Sequence, residues 1–228
     1  MIAIPIVSIA LTLLVYACAD DLYHRSNRMP LLHPVITSMV TLIAILRVTH
    51  TSYAQYMAGG QYIVFLLGPV TVALAVPLYR NAERIRTCEA PVFAALVAGS
   101  ITAGISAVVI SASLGLPSII VRSLAAKSVT APVAMTISEH IGGAPALTAA
   151  FAVCNGILGV IIAGAVFRGE RHWRSRGLAL GVTSHGLGTA YAFTVNDVAG
   201  AFSSLGMGLN AVLSAVWLPV LAALVMHN

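Results

Sequence analysis

The sequence predicts an all-α, multi-pass membrane protein whose helices are interrupted inside the bilayer. Three observations lead there. Of 228 residues 59% are hydrophobic and only 8% charged, with a mean hydropathy of +0.94, whereas a soluble domain carries about 25% charged residues. The apolar runs are continuous over about 20 residues rather than alternating, which fits spanning helices and not a β-barrel. Finally, Lys127-Ser128-Val129-Thr130-Ala131-Pro132 sits inside apolar chain. Irregular backbone at membrane depth is tolerated only where it is buried in protein or lines a wet cavity.

The first run, Ile2–Ala19, reads as a retained helix, because no basic segment precedes it and no cleavage site follows. It ends at Asp20-Asp21, ahead of His24, Arg25 and Arg28. Pro30 suits the first turn of a second helix over Leu31–Val48. Residues His50–Gly60 read as a polar loop, with Tyr53, Tyr56 and Tyr62 as interfacial anchors. The third run, Tyr62–Tyr79, contains Gly68-Pro69 and then Thr71, a packing kink or a break that lines a site. The fourth, Ala90–Leu116, carries no charge, and Gly99, Ser100 and Gly104 suit close helix contact. It reads as scaffold.

Two half-length pieces follow, Pro117–Ala126 and Pro132–Ile141, and Gly142-Gly143 closes them. Ala146–Phe167 is a full-length run. Gly177–Val195 is broken at Thr183-Ser184-His185-Gly186-Leu187-Gly188-Thr189, and Gly200–Met226 runs on to the end.

The net charge of +5 comes from arginines between the runs, a topology signal rather than a nucleic-acid one. Segments 24–28, 80–86 and 168–176 are arginine-rich and are expected on the cytoplasmic side. Between 86 and 168 the number of crossings must then be even, and runs 90–116 and 146–167 already supply two. Residues 117–141 are therefore expected to form a re-entrant hairpin from the outer face. If 177–196 is a second hairpin, entering from the cytoplasm, then 117–167 and 177–226 form an inverted repeat meeting at mid-bilayer. The chain divides on this reading into an N-terminal scaffold, 1–116, and a transport region, 117–228.

Several stretches resemble the LrgB/CidB family of antiholin-like membrane proteins, which is related to the plastidial glycolate/glycerate translocator. They are Phe-Leu-Leu-Gly-Pro-Val-Thr-Val-Ala-Leu-Ala-Val-Pro-Leu-Tyr (65–79), Lys-Ser-Val-Thr-Ala-Pro-Val-Ala-Met (127–135) and Ile-Gly-Gly-Ala-Pro-Ala-Leu-Thr-Ala (141–149). To these add Asn-Gly-Ile-Leu-Gly (155–159), Ser-His-Gly-Leu-Gly-Thr-Ala (184–190) and Gly-Ala-Phe-Ser-Ser-Leu-Gly-Met-Gly-Leu-Asn (200–210). Tyr191 stands where the family commonly has a basic residue, and Asn196-Asp197 departs from its usual Gly-Glu pair. The resemblance implies a multi-pass protein of the bacterial inner membrane, with a smaller LrgA/CidA holin-like partner. It also implies, from the plant members, transport of small hydroxy-carboxylates.

Lys127 is the only lysine in the chain, and a lysine at mid-membrane costs roughly 3 kcal/mol on insertion scales. It is expected to face water, a partner or an anion, although an ion pair with Glu139 that holds the hairpin shut is the plainer alternative. Ser128 and Thr130 can cap the helix after the break and leave N–H groups for an anion. Ser184, His185, Gly186 and Thr189 line the second break. There His185 can bind a carboxylate or carry a proton, or simply hydrogen-bond a carbonyl. Asn155 and Asn210 are candidate ligands or interhelical glue, Thr71 is a candidate at the earlier break, and Glu139 is a second proton carrier.

The reading is a transporter or facilitator of small monocarboxylates such as glycolate, glycerate, lactate or pyruvate, acting as a homodimer in the lipid bilayer. The alternative is an antiholin-like regulator of a holin-like partner that controls murein hydrolase activity and lysis. A hydrolase is disfavoured: Ser184 and His185 are adjacent, and the chain has neither a Gly-x-Ser-x-Gly elbow nor a third orienting group. Cys18, Cys88 and Cys154 supply no CxxC pair, so neither a metal site nor another cofactor is expected.

Overall fold

The computed structural model describes residues 3–26, 32, 34–73, 76, 79, 83, 86, 87, 89–169 and 172–225. The described residues are helical almost throughout, and the chain forms two compact units, Met1–Ala73 and Leu74–Asn228. Four of the described helices are long and apolar enough to cross a membrane: Pro5–Arg25, Glu89–Ser113, Pro145–Val166 and Asp197–Leu224. The basic segment expected at 80–86 lies largely outside the described residues, as does Pro30.

The first unit holds α1 (Ala3–Arg25), α2 (Pro34–Val48) and α3 (Tyr53–Ala73). α1 runs past Asp20-Asp21, the expected stop. Asp21 pairs with Arg25 at 2.8 Å and Asp20 with His24 at 3.7 Å, spacings that support a helix rather than end it. α2 begins at Pro34, four residues beyond the proline expected to open it.

The expected polar loop is instead the start of α3. Ser52 and Gln55 form a capping box: Ser52 N–H donates to Gln55 Oε1 at 2.9 Å, and Gln55 N–H to Ser52 Oγ at 3.3 Å. Gly59 then allows close approach, since a Cβ there would overlap the Pro5 carbonyl of α1. The Tyr56 hydroxyl hydrogen-bonds Thr12 of α1 at 2.8 Å. α3 continues through Pro69, so Gly68-Pro69 does not end it.

The second unit holds α4 (Glu89–Ser113), α5 (Ser118–Ala125), α6 (Ala131–His140), α7 (Pro145–Val166), α8 (Trp173–Val195) and α9 (Asp197–Val225). α4 buries Leu96, Ser100, Gly104, Ala107, Val108 and Ser111, one stripe at helical spacing. It packs against α5, α8 and α9. α5 and α6 have 8 and 10 residues, about 12 and 15 Å of helix, half of a bilayer core. Both lie on a shared core with α4 and α9 that includes Val108, Val121, Val129, Ile137 and Leu218.

α8 is not straight. His185 has φ 40° and ψ −125°, a backbone conformation costly for a residue with a Cβ. The arms on either side, 173–184 and 186–195, fold back against each other. Arg176 Nη2 donates to the Tyr191 hydroxyl at 3.5 Å, whereas 15 residues along an unbroken helix span about 22 Å. A Cβ at Gly188 would overlap the Leu180 carbonyl. The first arm runs beside α9 in the same direction, with Gly177 against Ala199 and Gly181 against Ser203. Glycines four apart are the small-residue seam that lets membrane helices touch at the backbone.

That seam makes a matched pair of substitutions informative. Gly181→Ala places a methyl on the Ser203 carbonyl and should cost about 1–3 kcal/mol by overpacking. Gly164→Ala meets nothing within 4 Å and should leave stability unchanged or raise it by up to about 1 kcal/mol. Thermal unfolding of the detergent-purified protein checks both, and equal melting temperatures would contradict the packing.

Candidate functional site

The chemistry-bearing residues collect where the two helix breaks meet. At the first, α5 ends at Ala125 and α6 starts at Ala131 with Pro132 in its first turn, where the missing N–H is harmless. The chain then returns: Ala144 N–H donates to Ser123 Oγ at 2.8 Å, and Thr148 Oγ1 to Ser138 Oγ at 2.6 Å. Thr130 stands at the N-cap of α6, but its hydroxyl makes no capping bond, so the expected capping role falls away. Ser128 is buried and Lys127 half-buried. The Lys127–Glu139 ion pair is not formed: among the described residues only Asp20–His24 and Asp21–Arg25 pair. Glu139 is exposed near the end of α6, away from either break.

At the second break, a reversed helix leaves carbonyls without their intrahelical donors. Side chains from two other helices satisfy them. Asn210 of α9 donates to the Val182 carbonyl at 3.2 Å and Asn155 of α7 to the Thr183 carbonyl at 2.6 Å, while the Thr189 hydroxyl back-bonds to the His185 carbonyl within the second arm at 2.9 Å. Thr189 also hydrogen-bonds Ser203 at 3.0 Å. His185 is buried and reaches α7, where Nε2 donates to the Ala152 carbonyl at 2.9 Å. α7 makes room with Gly156 and Gly159, since a Cβ at Gly159 would overlap Ser184 Oγ. Ser184 reaches the Thr183 hydroxyl at 3.4 Å, not the imidazole, so the two adjacent residues do not form a nucleophile–base pair.

One side chain joins the breaks. Asn210, 1% exposed, donates its second N–H to the Ser128 carbonyl at 3.2 Å. Its own oxygen accepts from Ser214 Oγ at 3.4 Å. Ser100 of α4 donates to Ser214 Oγ at 3.2 Å and accepts from Trp217 Nε1 at 3.0 Å. The proton directions follow uniquely, because an indole N–H only donates and an amide oxygen only accepts.

The structure thus brings together Ser128, Asn155, Ser184, His185, Thr189 and Asn210, with Lys127 beside them in sequence and Gly186 at the exposed tip. It does not bring in Glu139, and Thr71 belongs to α3 of the other unit. Of the outer links, only Ser100 stood out in the sequence, as a small residue suited to close helix contact, and Ser214 and Trp217 were missed. The available signal was the spacing Asn210-x₃-Ser214-x₂-Trp217, which puts all three on one helix face.

The model of the LrgB-like family matches residues 12–224 of the chain. The chain is 36% identical over 220 residues to the uncharacterized protein YwbG of Bacillus subtilis, covering 96% of this chain and 97% of that one. It is 33% identical over 221 residues to the holin-like protein CidB of Staphylococcus epidermidis, with 96% of each covered. To the antiholin-like protein LrgB of Bacillus cereus it is 31% identical over 219 residues, with 95% of each covered. No solved structure matches it.

Replacing Asn210 by the near-isosteric leucine removes both interhelical donors and leaves two carbonyls and Ser214 without it. At about 0.6 kcal/mol for an average membrane hydrogen bond and up to about 1.7 for a strong one, Asn210→Leu should lose about 1–3 kcal/mol. Denaturation in mixed micelles measures it. Stability unchanged from the parent would mean that the bridge does not hold the breaks.

Proposed function

Because the chain belongs to the LrgB-like family and is a multi-pass membrane protein, we propose that it acts as a holin- or antiholin-like protein of a bacterial cytoplasmic membrane. In this reading it works with a smaller LrgA/CidA-type partner and modulates murein hydrolase activity and lysis. The observation that carries it is full-length likeness to proteins named CidB and LrgB. Nothing catalytic is needed from this chain itself for such a role, and relatives are named holin-like and antiholin-like.

A second reading has a specific observation behind it. Lys127 is half-buried beside the first break and has no ion-pair partner among the described residues. Intramembrane cations default to function; Arg122 lies in α5 of the same segment, but Lys127 is the one at the break, and the chemistry it suits is a small monocarboxylate. The returning chain at Ser123–Ala144 and the folded arms of α8 support two hairpins entering from opposite faces, the arrangement in which transporters hold substrates at mid-membrane. Lys127 would attract the carboxylate. Ser128, Thr130 and Ser184 would supply hydroxyls, and the open space at Gly186 would give access. Asn155, Asn210 and Thr189 already serve carbonyls, so their part is to hold the site's shape. His185 would carry a proton with the substrate, so that a neutral pair crosses; Glu139 is too far toward the end of α6 to share that part. A homodimer is the assembly proposed for either reading.

The readings separate experimentally. Expression in a strain lacking the chain should change murein hydrolase activity and the rate of lysis, and should co-purify a small holin-like partner; no effect and no partner would count against the regulator. In proteoliposomes, uptake of labelled glycolate, glycerate, lactate or pyruvate should rise with an inward proton gradient. Lys127→Ala should abolish it while expression stays normal, and Lys127→Arg should restore little, because a planar guanidinium is not a compact ammonium. His185→Gln keeps a donor for the Ala152 carbonyl but cannot titrate, and should flatten the pH dependence while exchange continues. Normal uptake by the alanine variant would remove Lys127 from the site.

A further inference from the structure

A slot of about 360 Å³ opens between α4, α8 and α9, and its inner end reaches the second break at Val182 and Thr183. Its walls are apolar: Val92, Ala95 and Gly99 from α4, Leu178 and Val182 from α8, and the fully buried Phe202 ring from α9. One end carries charge. Arg174 is exposed, and its guanidinium lies over the Phe202 ring, 5.9 Å from the centroid. No carboxylate among the described residues pairs with it. This cation–π contact keeps the guanidinium at the mouth, where its N–H groups can meet an oxyanion. The other end is Thr183, whose hydroxyl is spent on the Ala179 carbonyl at 2.7 Å. Nine residues of helical arm separate the two ends, roughly 13 Å.

A long, narrow, apolar slot with a single cation at its mouth matches an amphiphile. A small hydroxy-acid would find polar partners only at the mouth, Arg174 and Ser175, and none along the apolar length. An acyl chain fills the apolar length and leaves an anionic headgroup at the guanidinium. Arg174 also lies in the arginine-rich segment 168–176 expected on the cytoplasmic side, where the leaflet is anionic. We propose that this slot binds one acyl chain of an anionic phospholipid of the bilayer, with the headgroup phosphate on Arg174. The site is independent of the proposed function, and its occupant would lie against Val182 and Thr183, the two residues whose carbonyls Asn210 and Asn155 hold.

The test uses the full chain in nanodiscs with phosphatidylglycerol carrying a diazirine in one acyl chain, and matched phosphatidylcholine. Phosphatidylglycerol should crosslink preferentially within 89–113 and 173–184. Arg174→Gln should lower its retention about fivefold, the change expected from one arginine at an anionic surface, to the level of phosphatidylcholine. Arg174→Lys should keep most of it. Ala95→Phe fills the slot and should reduce crosslinking by both lipids; the exposed Arg174 pair decides the matter if the phenylalanine variant does not fold. Phosphatidylglycerol retention unchanged in Arg174→Gln, or crosslinks spread evenly around the apolar belt, would overturn the proposal.

Discussion

Where a helix breaks off, its last carbonyls lose their intrahelical donors, and polar side chains of the second unit supply them. Val182 and Thr183 at one break and Ser128 at the other accept from Asn210 and Asn155. Each such bond is worth about 0.6 kcal/mol on average and up to about 1.7 in a membrane protein, and together they hold the breaks in place. The donors are therefore requirements of the architecture, and Asn210 is the central one because it serves both breaks at once. Residues 128 and 182 are far apart in sequence and have no other direct hydrogen-bonded link through one side chain.

Other features follow from that placement. To bring Asn210 beside Val182, α9 must run at backbone contact with the first arm of α8, which the glycines at 177 and 181 permit. To admit His185 and Ser184, α7 must be thin at 156 and 159. To orient the amide, Ser214 takes its oxygen and is itself held through Ser100 by Trp217. This chain of bonds draws α4 into the same unit. The result is a rigid polar centre with Lys127 at its edge, suited either to binding a small anion or to holding a surface that a smaller membrane partner recognises.

Much of this was legible in the sequence, and the remainder failed for identifiable reasons. Composition and run length yield helices and the bilayer. The two breaks are visible because Lys-Ser-Val-Thr-Ala-Pro and Thr-Ser-His-Gly interrupt apolar chain, and His185 is the residue at which α8 reverses. The start of α3 was hidden because its polar residues look like a loop, although Ser52-x-x-Gln55 is a capping signature. α1 outran its expected end because Asp20 and Asp21 find partners one turn on. The capping role of Thr130 and the Lys127–Glu139 pair were chemically sensible but depend on rotamer and distance, which residue order does not encode. Asn155 and Asn210 drew notice as polar residues in spans. That their amides serve carbonyls of other segments is a tertiary fact.

The central claim is that the two broken segments enter from opposite faces and meet at Asn210. Site-directed labelling with a membrane-impermeant thiol reagent tests it most directly, with the native cysteines replaced by serine and single cysteines at Pro117, Ala146, Ser175 and Asp197. Pro117 and Ala146 should react only from the outer face, and Ser175 and Asp197 only from the cytoplasmic face. If either pair reacts from opposite sides, that segment is a full crossing and the meeting of two hairpins is wrong.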